Sequence, residues 1–251
     1  MSTYVYGIVR DRDDLDGMKL SGVGEEGAPV RFVRGSGLAA AVSDAPEGLR
    51  AKRRDLTAHQ NVLQDLAEAG AVLPLRFGSL SEDDEAVAAE LARSADHYSE
   101  LLDRLRDRVE FNVKAEHVEE AVLAEALRGD AGLRAENEAL REAGGGSPAE
   151  RMAFGERVHH AVEELRRRDA AAVLRPLQGF ADGVGEGEPV GASFVNTSFL
   201  VPRDRVEGFL KEAARLQQEA GSYMEIRVNG PLPPYSFVTP PPNRPSGPDG
   251  P

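Results

Sequence analysis

A histidine and an arginine are the residues of this chain whose types and spacing come closest to a reactive pair. His59 lies on the apolar face of a helical pattern, and Arg76 interrupts the apolar stretch Val72–Phe77 that follows it. An imidazole beside a guanidinium could bind a ligand or transfer protons. A core histidine near an arginine that pairs a carboxylate explains the same pattern, and we favour that interpretation. It predicts that Arg76 pairs a carboxylate or caps a helix C-terminus, with His59 a few side chains away.

Other patterns for catalysis or metal binding are weak. His159 and His160 are adjacent on one helix and point in different directions, while His97 and His117 lack acidic or histidine partners at ligand spacing. The glycine-rich stretch 183–191 lacks the Gly-Lys-Ser/Thr ending of a phosphate loop. The sequence therefore predicts no catalytic residue, no cofactor and no metal site.

The charge of the chain excludes several classes of partner. The 251 residues contain no cysteine and carry a formal net charge of −13. Nucleic-acid phosphates and anionic lipids both attract basic surfaces, so we expect neither nucleic acid nor membrane as a partner. No apolar run reaches the roughly 18 residues that span a bilayer. These features predict a soluble, cytoplasmic protein.

Hydrophobic periodicity predicts an α+β first domain over residues 1–106. Its expected elements are a strand at Thr3–Val9, a hairpin of Val30–Val33 with Leu38–Ser43, a helix at Asp55–Ala69, a strand at Val72–Phe77 and one helix from an N-cap at Ser81 to about Arg106. The helix at Asp55–Ala69 is expected to bury Leu56, His59, Leu63 and Leu66 on one face.

A second α+β domain is predicted over residues 107–238. Its expected elements are strands at Val109–Ala115, Ser193–Val201 and Ser222–Asn229, with helices at about 117–128, 130–142, 148–176 and 203–220. Ser147 and Glu150 form a capping box that opens the third of these helices. The proline-rich residues 239–251 are predicted to be a disordered tail.

The closing stretch of the second domain, 229–238, combines three prolines with two aromatic residues. Proline cannot donate a hydrogen bond to a sheet, so this segment should leave the sheet or form its edge. Tyr235 and Phe237 then either pin the sheet against helices or offer an apolar patch to a partner, and we favour pinning.

Several segments in order along the chain resemble the gas vesicle protein F/L family. They are Tyr4–Val9, the helix that carries His59, VLPLRFG at 72–78, Val109–Lys114 and GPLPPYSF at 230–237. The two proline-containing motifs together are quite specific, and the resemblance covers nearly the whole chain.

The resemblance implies a fold, a function and a set of partners. The fold would be a two-domain α+β protein in which the C-terminal domain resembles a modified ferredoxin-like fold. The family is not known for catalysis. Its members would bind the small, hydrophobic gas vesicle shell protein and other accessory proteins, limit aggregation of the shell protein, assist nucleation and remain as a minor vesicle component. The candidate structural or interaction residues are His59, Arg76, Phe77, Pro231, Pro234, Tyr235 and Phe237.

Two alternatives stay open from the residues. Small α+β units often bind metabolites between their elements, so the chain could be a small-ligand-binding or sensor module. An enzyme that uses His59 with a carboxylate is the third hypothesis, and it requires His59 to reach a concave pocket.

Overall fold

The described chain divides into two units. The structure is a computed structural model that describes residues 2–24 and 26–241. Unit 1 holds the described residues up to Glu110 and those from Pro231 onwards, and unit 2 holds Phe111–Gly230. The closing segment, predicted to belong to the second domain, thus groups with unit 1. The folding domains 1–106 and 107–238 stay a prediction, and the predicted disorder of residues 242–251 lies outside the described residues.

Unit 1 is built on an antiparallel sheet with helices on both faces. Its elements are β1 (Thr3–Arg10), β2 (Arg31–Gly35), β3 (Leu38–Asp44), α1 (Arg53–Ala69), β4 (Val72–Pro74), β5 (Leu80–Ser81), α2 (Asp84–Arg93) and α3 (Ala95–Leu105). The sheet order is β2-β3-β1-β4, and β5 also pairs with β1. Helix α1 contacts β1 and β4, whereas α2 contacts β2 and β3 and α3 contacts β1 and β4.

The predicted hairpin is confirmed as β2 and β3, which Ser36 and Gly37 connect. Both turn residues have positive φ, 54° and 75°, as a tight two-residue hairpin turn requires. Register pairs Val33 with Ala40, and β3 is buried along almost its whole length.

Strand β1 contains an irregularity that decides which side chains face α1. The pairing with β3 shifts between Val5 and Gly7, so Tyr4, Tyr6 and Val9 all join the core beneath α1. A Cβ at Gly7 would lie 2.9 Å from both a side-chain carbon of Leu63 and the carbonyl oxygen of Leu73. The close approach of α1 and β4 therefore depends on glycine at this position.

Four expectations for unit 1 are wrong. The strand over Val72–Phe77 ends at Pro74, because the chain turns away after this residue. The single long helix is two helices broken at Ser94, and the first is capped by Asp83, which accepts the Ala86 N–H, rather than by Ser81. Leu56 is 38% exposed, because the buried face of α1 is centred on His59, Val62, Leu63 and Leu66.

Unit 2 combines four helices with a second sheet. The elements that lie wholly or mostly in it are β6 (Arg108–His117), α4 (Glu119–Gly129), α5 (Ala131–Glu142), α6 (Pro148–Gln178), β7 (Gly183–Glu186), β8 (Val195–Pro202), α7 (Val206–Ala220) and β9 (Met224–Leu232). The sheet order is β7-β8-β6-β9, so β9, which contains Pro231, is an edge strand as predicted. Phe111, Phe199 and Phe209 form an aromatic core, with ring centroids 5.0 and 5.6 Å from Phe209.

Local signals predicted most of unit 2. The capping box of Ser147 and Glu150 is confirmed at the start of α6. The glycine-rich stretch 183–191 contains β7, because backbone pairing with β8 places glycine in a strand without help from side chains. The chain has the predicted α+β class, with two small antiparallel sheets, while the ferredoxin-like character of the second domain stays a prediction.

Candidate functional site

The site with the most chemistry-bearing side chains in unit 1 is a buried group that we call the tyrosine–histidine cluster. It consists of Tyr4, Tyr6, His59, Phe77 and Tyr235. Alternation along β1 directs both N-terminal tyrosines toward α1, and the apolar face of α1 directs His59 back toward them. Tyr4 and Tyr6 are fully buried and His59 is 2% exposed.

Hydrogen bonds fix the tautomer of His59. Nε2 lies 3.1 Å from the carbonyl oxygen of Leu75, an acceptor, so Nε2 carries the proton and donates it. Nδ1 then accepts the hydroxyl hydrogen of Tyr4 at 2.9 Å. The hydroxyl oxygen of Tyr4 in turn accepts the Gly78 N–H at 3.1 Å. The neutral imidazole therefore links β1 to the chain that leaves β4.

The rings around His59 complete its enclosure. Tyr6 stacks on the imidazole with centroids 5.6 Å apart and an interplanar angle of 27°. Tyr4 and Phe77 both meet the imidazole edge-on at centroid distances of 5.8 Å. Aromatic pairs in these orientations add roughly 0.5–1.5 kcal/mol beyond the area they bury. Phe77 thus has a packing position in unit 1.

Burial sets the proton affinities of the cluster. It lowers the pKa of His59 below the usual value for histidine, with the Leu75 carbonyl acting in the opposite direction. Burial raises the pKa of the Tyr4 hydroxyl strongly, and burial with the nearby charge of Glu110 raises the pKa of Tyr235 to about 12. Neutral forms of all three groups are therefore favoured near pH 7.

The placement of His59 does not support an acid–base role. A general acid or base must come within hydrogen-bond reach of the proton it transfers. His59 is 2% exposed, and both of its ring nitrogens already bond to protein atoms. The arrangement instead orders the strands and helix that meet at this histidine.

The closing segment belongs to this site. The Tyr235 hydroxyl oxygen lies 3.3 Å from His59 Nε2, and Phe237 is 6% exposed. Ser236 donates its N–H and its O–H to the two carboxylate oxygens of Glu110, at 2.8 and 2.6 Å. Pro234 is buried, whereas Pro231 is exposed. These contacts support the pinning role of the aromatic pair, which stays a proposal.

The predicted partner of Arg76 is wrong, whereas the predicted nearness of His59 is confirmed, because His59 contacts both Leu75 and Phe77. The Arg76 side chain is exposed, and within residues 2–24 and 26–241 it has neither an ion pair with a carboxylate nor a bond to a helix C-terminus. The reason is the early end of β4, which places Arg76 in the turn that follows, where its carbonyl oxygen accepts the Ser79 hydroxyl at 2.8 Å. His59 meets the backbone of the neighbouring Leu75 instead.

Unit 2 contains a second polar cluster that the sequence did not reveal. Asp169 accepts hydrogen bonds from His117 Nε2 at 3.0 Å, from the Tyr223 hydroxyl at 2.7 Å and from Arg168 Nε at 2.9 Å. Phe194 stacks on the His117 ring at a centroid distance of 4.1 Å. Because 52 residues separate the histidine from its carboxylate, no rule of local ligand spacing could have paired them.

Hydrogen bonding and burial set the protonation states of Asp169 and His117 in this second cluster. Burial alone would raise the pKa of Asp169, but the hydrogen bonds from Arg168, Tyr223 and His117 outweigh burial and lower it. Burial lowers the pKa of His117 despite the attraction of Asp169. Nδ1 of His117 is buried without a hydrogen-bond partner in the described part of the chain, which also disfavours a second ring proton. The pair is thus a neutral imidazole on a carboxylate.

A third feature is a cavity of about 910 Å³ in unit 1. It lies between α2, α3 and the face of the sheet that is turned away from α1, where Val5 and Ile8 project. Pro241, near the end of the described chain, also lines it. The sequence pattern does not predict this cavity, because it predicts one continuous helix where the structure has α2 and α3.

The described residues contain neither a membrane span nor a cluster of metal-binding side chains. None of the helices within residues 2–24 and 26–241 is both long enough and apolar enough to cross a membrane. The same residues contain no group of three or more histidine, cysteine, aspartate or glutamate side chains placed to hold a metal ion.

Comparison with known proteins gives one consistent result. The family described as gas vesicle synthesis protein GvpL/GvpF matches residues 2–239. Gas vesicle protein F of Streptomyces sp. (strain CB03234) is 51% identical over 238 residues, covering 95% of this chain and 100% of the relative. Gas vesicle protein L of the same strain is 30% identical over 257 residues, covering 94% and 92%.

Solved structures agree with the sequence comparison. The crystal structure of gas vesicle protein GvpF from Anabaena sp. PCC7120 is similar with a TM-score of 0.83 and 25% identity, covering 95% of this chain and 98% of that one. GvpF from Microcystis aeruginosa is similar with a TM-score of 0.77 and 27% identity, covering 94% and 98%.

Proposed function

We propose an assembly role for this chain from one premise: it belongs to the gas vesicle synthesis protein GvpL/GvpF family. It acts as an accessory protein in the cytoplasm that binds the hydrophobic gas vesicle shell protein, limits its aggregation and assists nucleation and assembly of the vesicle. It then stays in the vesicle as a minor component. The observation that carries the proposal is the 51% identity with gas vesicle protein F over the full length of that relative.

The physical need for such a protein follows from the shell. Subunits that will form a hydrophobic wall expose apolar surface before they assemble, and exposed apolar surface of this kind drives aggregation. A partner that covers the surface must itself remain dissolved. The net charge of −13 serves this purpose, because like-charged complexes repel one another.

The proposed assembly role does not require catalysis by this chain. The family is not known as enzymatic. His59 in the tyrosine–histidine cluster and His117 in the second polar cluster both make hydrogen bonds, which order unit 1 and unit 2 respectively. A stable scaffold suits a protein whose task is to present surface to partners, which here are the shell protein and other accessory proteins.

Co-expression tests the proposal directly. The shell protein is produced alone, with this chain, and with an unrelated acidic protein of similar size as control. We expect this chain to raise the soluble fraction of the shell protein and to retain it in an affinity pull-down. An unchanged soluble fraction together with no retention would overturn the proposal.

A further inference from the structure

The cavity of unit 1 has the walls of a site for apolar groups. Its volume of about 910 Å³ is at the upper end of the roughly 300–1,000 Å³ typical of binding pockets. Aliphatic side chains from the sheet, from the chain just after β4 and from α2 line it, namely Val5, Ile8, Leu75, Leu80, Val87 and Leu91. Leu80 stands at its edge and is 56% exposed, so the apolar lining continues out to the surface.

The side chains of Ser94, His97 and Tyr98, which line the cavity, already have hydrogen-bond partners within the protein. The Tyr98 hydroxyl and the Ser94 hydroxyl both donate to Glu90 Oε1, at 2.9 and 3.0 Å. His97 Nε2 donates to the carbonyl oxygen of Thr239 at 2.9 Å. Metabolite sites orient their ligands with a few precisely placed polar groups. Here those groups already have partners, which favours an occupant that makes its contacts through apolar side chains.

Negative charge remains at the mouth of the cavity. Glu82 and Asp96 line it, both are exposed, and neither has an ion pair with any residue that the structure describes. The nearby Arg93 is already paired with Glu90. An occupant with a basic residue beside its apolar part would complement these two carboxylates.

We propose that this cavity binds an apolar protein segment flanked by a lysine or arginine, the basic residue pairing with Glu82 and Asp96. The proposal rests on the proposed function, which identifies the shell protein as the source of the segment. The helices α2 and α3 and the edge residue Leu80 are then the part of unit 1 that covers the shell subunit before assembly.

Filling the cavity provides the first test. Ala86 lines the cavity, so Ala86→Trp places an indole inside it. Ala89 lies on the same helix, is exposed and does not line the cavity, so Ala89→Trp is the matched control. Each full-length variant is co-expressed with the shell protein and the retained shell protein is quantified beside the melting temperature. We expect Ala86→Trp to lower retention about tenfold or more, as for loss of an interface hot spot, and Ala89→Trp to leave it unchanged.

Rim variants provide a second test that does not disturb the core. Leu80→Asp changes a residue that is already 56% exposed, and we expect it to lower retention severalfold. Glu82→Lys with Asp96→Lys should also lower retention and remove much of its salt dependence. The control, Asp65→Lys with Glu100→Lys, makes the same charge change at exposed residues of unit 1 outside the cavity.

The outcomes separate this inference from the proposed function. If wild-type protein retains the shell protein and Ala86→Trp and Leu80→Asp, both folded, retain it equally well, the cavity proposal is overturned and the assembly role stands. If wild-type protein neither retains the shell protein nor raises its soluble fraction, both are overturned.

Discussion

The hydroxyl oxygen of Tyr235 lies 3.3 Å from Nε2 of His59, although 176 residues separate them along the chain. The next residue, Ser236, bonds through its backbone and side chain to Glu110, which is 4% exposed. Together these contacts make the closing segment a structural part of unit 1. The GPLPPYSF motif therefore closes the tyrosine–histidine cluster that the first strand and α1 begin.

Removal of the Tyr235 side chain should destabilise unit 1. Tyr235→Ala loses ring packing as well as the hydroxyl, and we expect the free energy of unfolding to fall by about 2 kcal/mol. Tyr235→Phe keeps the ring and loses only a long hydrogen bond, so its loss should be about 0.5 kcal/mol. Urea unfolding of the two variants measures the difference. Equal losses would contradict a packing role for the ring.

A double substitution separates pinning from partner binding. Tyr235→Ala with Phe237→Ala should lower the melting temperature markedly, because Phe237 is 6% exposed. The melting curve and the shell-protein pull-down are measured on the same preparation. Lost retention with an unchanged melting temperature would mean that the aromatic pair contacts a partner.

Acid should weaken the fold through His59. Its pKa in the folded state is lowered by burial, whereas in the unfolded chain it is about 6.5. Below that value the unfolded chain binds more protons than the folded one, so the free energy of unfolding falls as the pH decreases through about 6.5. Above that pH, the contribution of the neutral His59 to the free energy of unfolding is fully present.

The variant His59→Gln isolates this effect. It removes the titration, so the free energy of unfolding should depend less on pH between about pH 7.5 and 5 than in the wild type. His117, whose pKa is also lowered, accounts for part of the remaining slope, and His59→Gln with His117→Gln should flatten it further. Identical slopes in wild type and His59→Gln would contradict the neutral, buried state of His59.

Elements with a local signal were predictable. The β-branched and aromatic residues of β1, the alternation of β6, the hairpin of β2 and β3 and the Ser147 capping box each encode their structure within a few residues, and each was found where expected. The break between α2 and α3 was missed, because Ser94 is no strong helix breaker and tertiary packing decides there. Tertiary packing also decides the early end of β4. The His59 imidazole donates a hydrogen bond to the carbonyl oxygen of Leu75, which would otherwise need a donor from a neighbouring strand.

The hydrogen-bond partners of His59 and His117 come from distant parts of the sequence. The sequence correctly indicated a buried His59, yet its side-chain hydrogen-bond partners are Tyr4 and Tyr235. Near Arg76 it meets the Leu75 carbonyl and the Phe77 ring rather than the guanidinium. His117 was set aside for lack of a nearby acid, and Asp169 reaches it only through the packing of α6 in unit 2. Periodicity gives the face on which a residue lies, whereas its partner on another element depends on tertiary packing.

Loss of the carboxylate of Asp169 should destabilise unit 2. Three donors converge on it, so Asp169→Ala leaves buried polar groups of His117 and Tyr223 without an acceptor, and we expect a loss of about 3 kcal/mol. The control Glu164→Gln changes an acid on the same helix whose side chain is 60% exposed, and its effect should stay below about 0.5 kcal/mol. Chemical unfolding of both variants measures the two losses in the free energy of unfolding. Similar small losses would mean that the cluster contributes little.

Arg76 should be dispensable for stability. Its side chain is exposed, so Arg76→Ala should change the free energy of unfolding by less than about 0.5 kcal/mol. Arg31→Ala is the comparison, since Arg31 makes two hydrogen bonds of 2.9 Å to Asp84 and its partly exposed pair should contribute about 1 kcal/mol. A loss above 1 kcal/mol for Arg76→Ala would show a structural role that its exposed position does not explain. The same variant in the shell-protein pull-down tests the remaining role: reduced retention at unchanged stability would make Arg76 an interaction residue. Its exposed guanidinium has no carboxylate partner among the described residues, so it can bind a carboxylate of another protein.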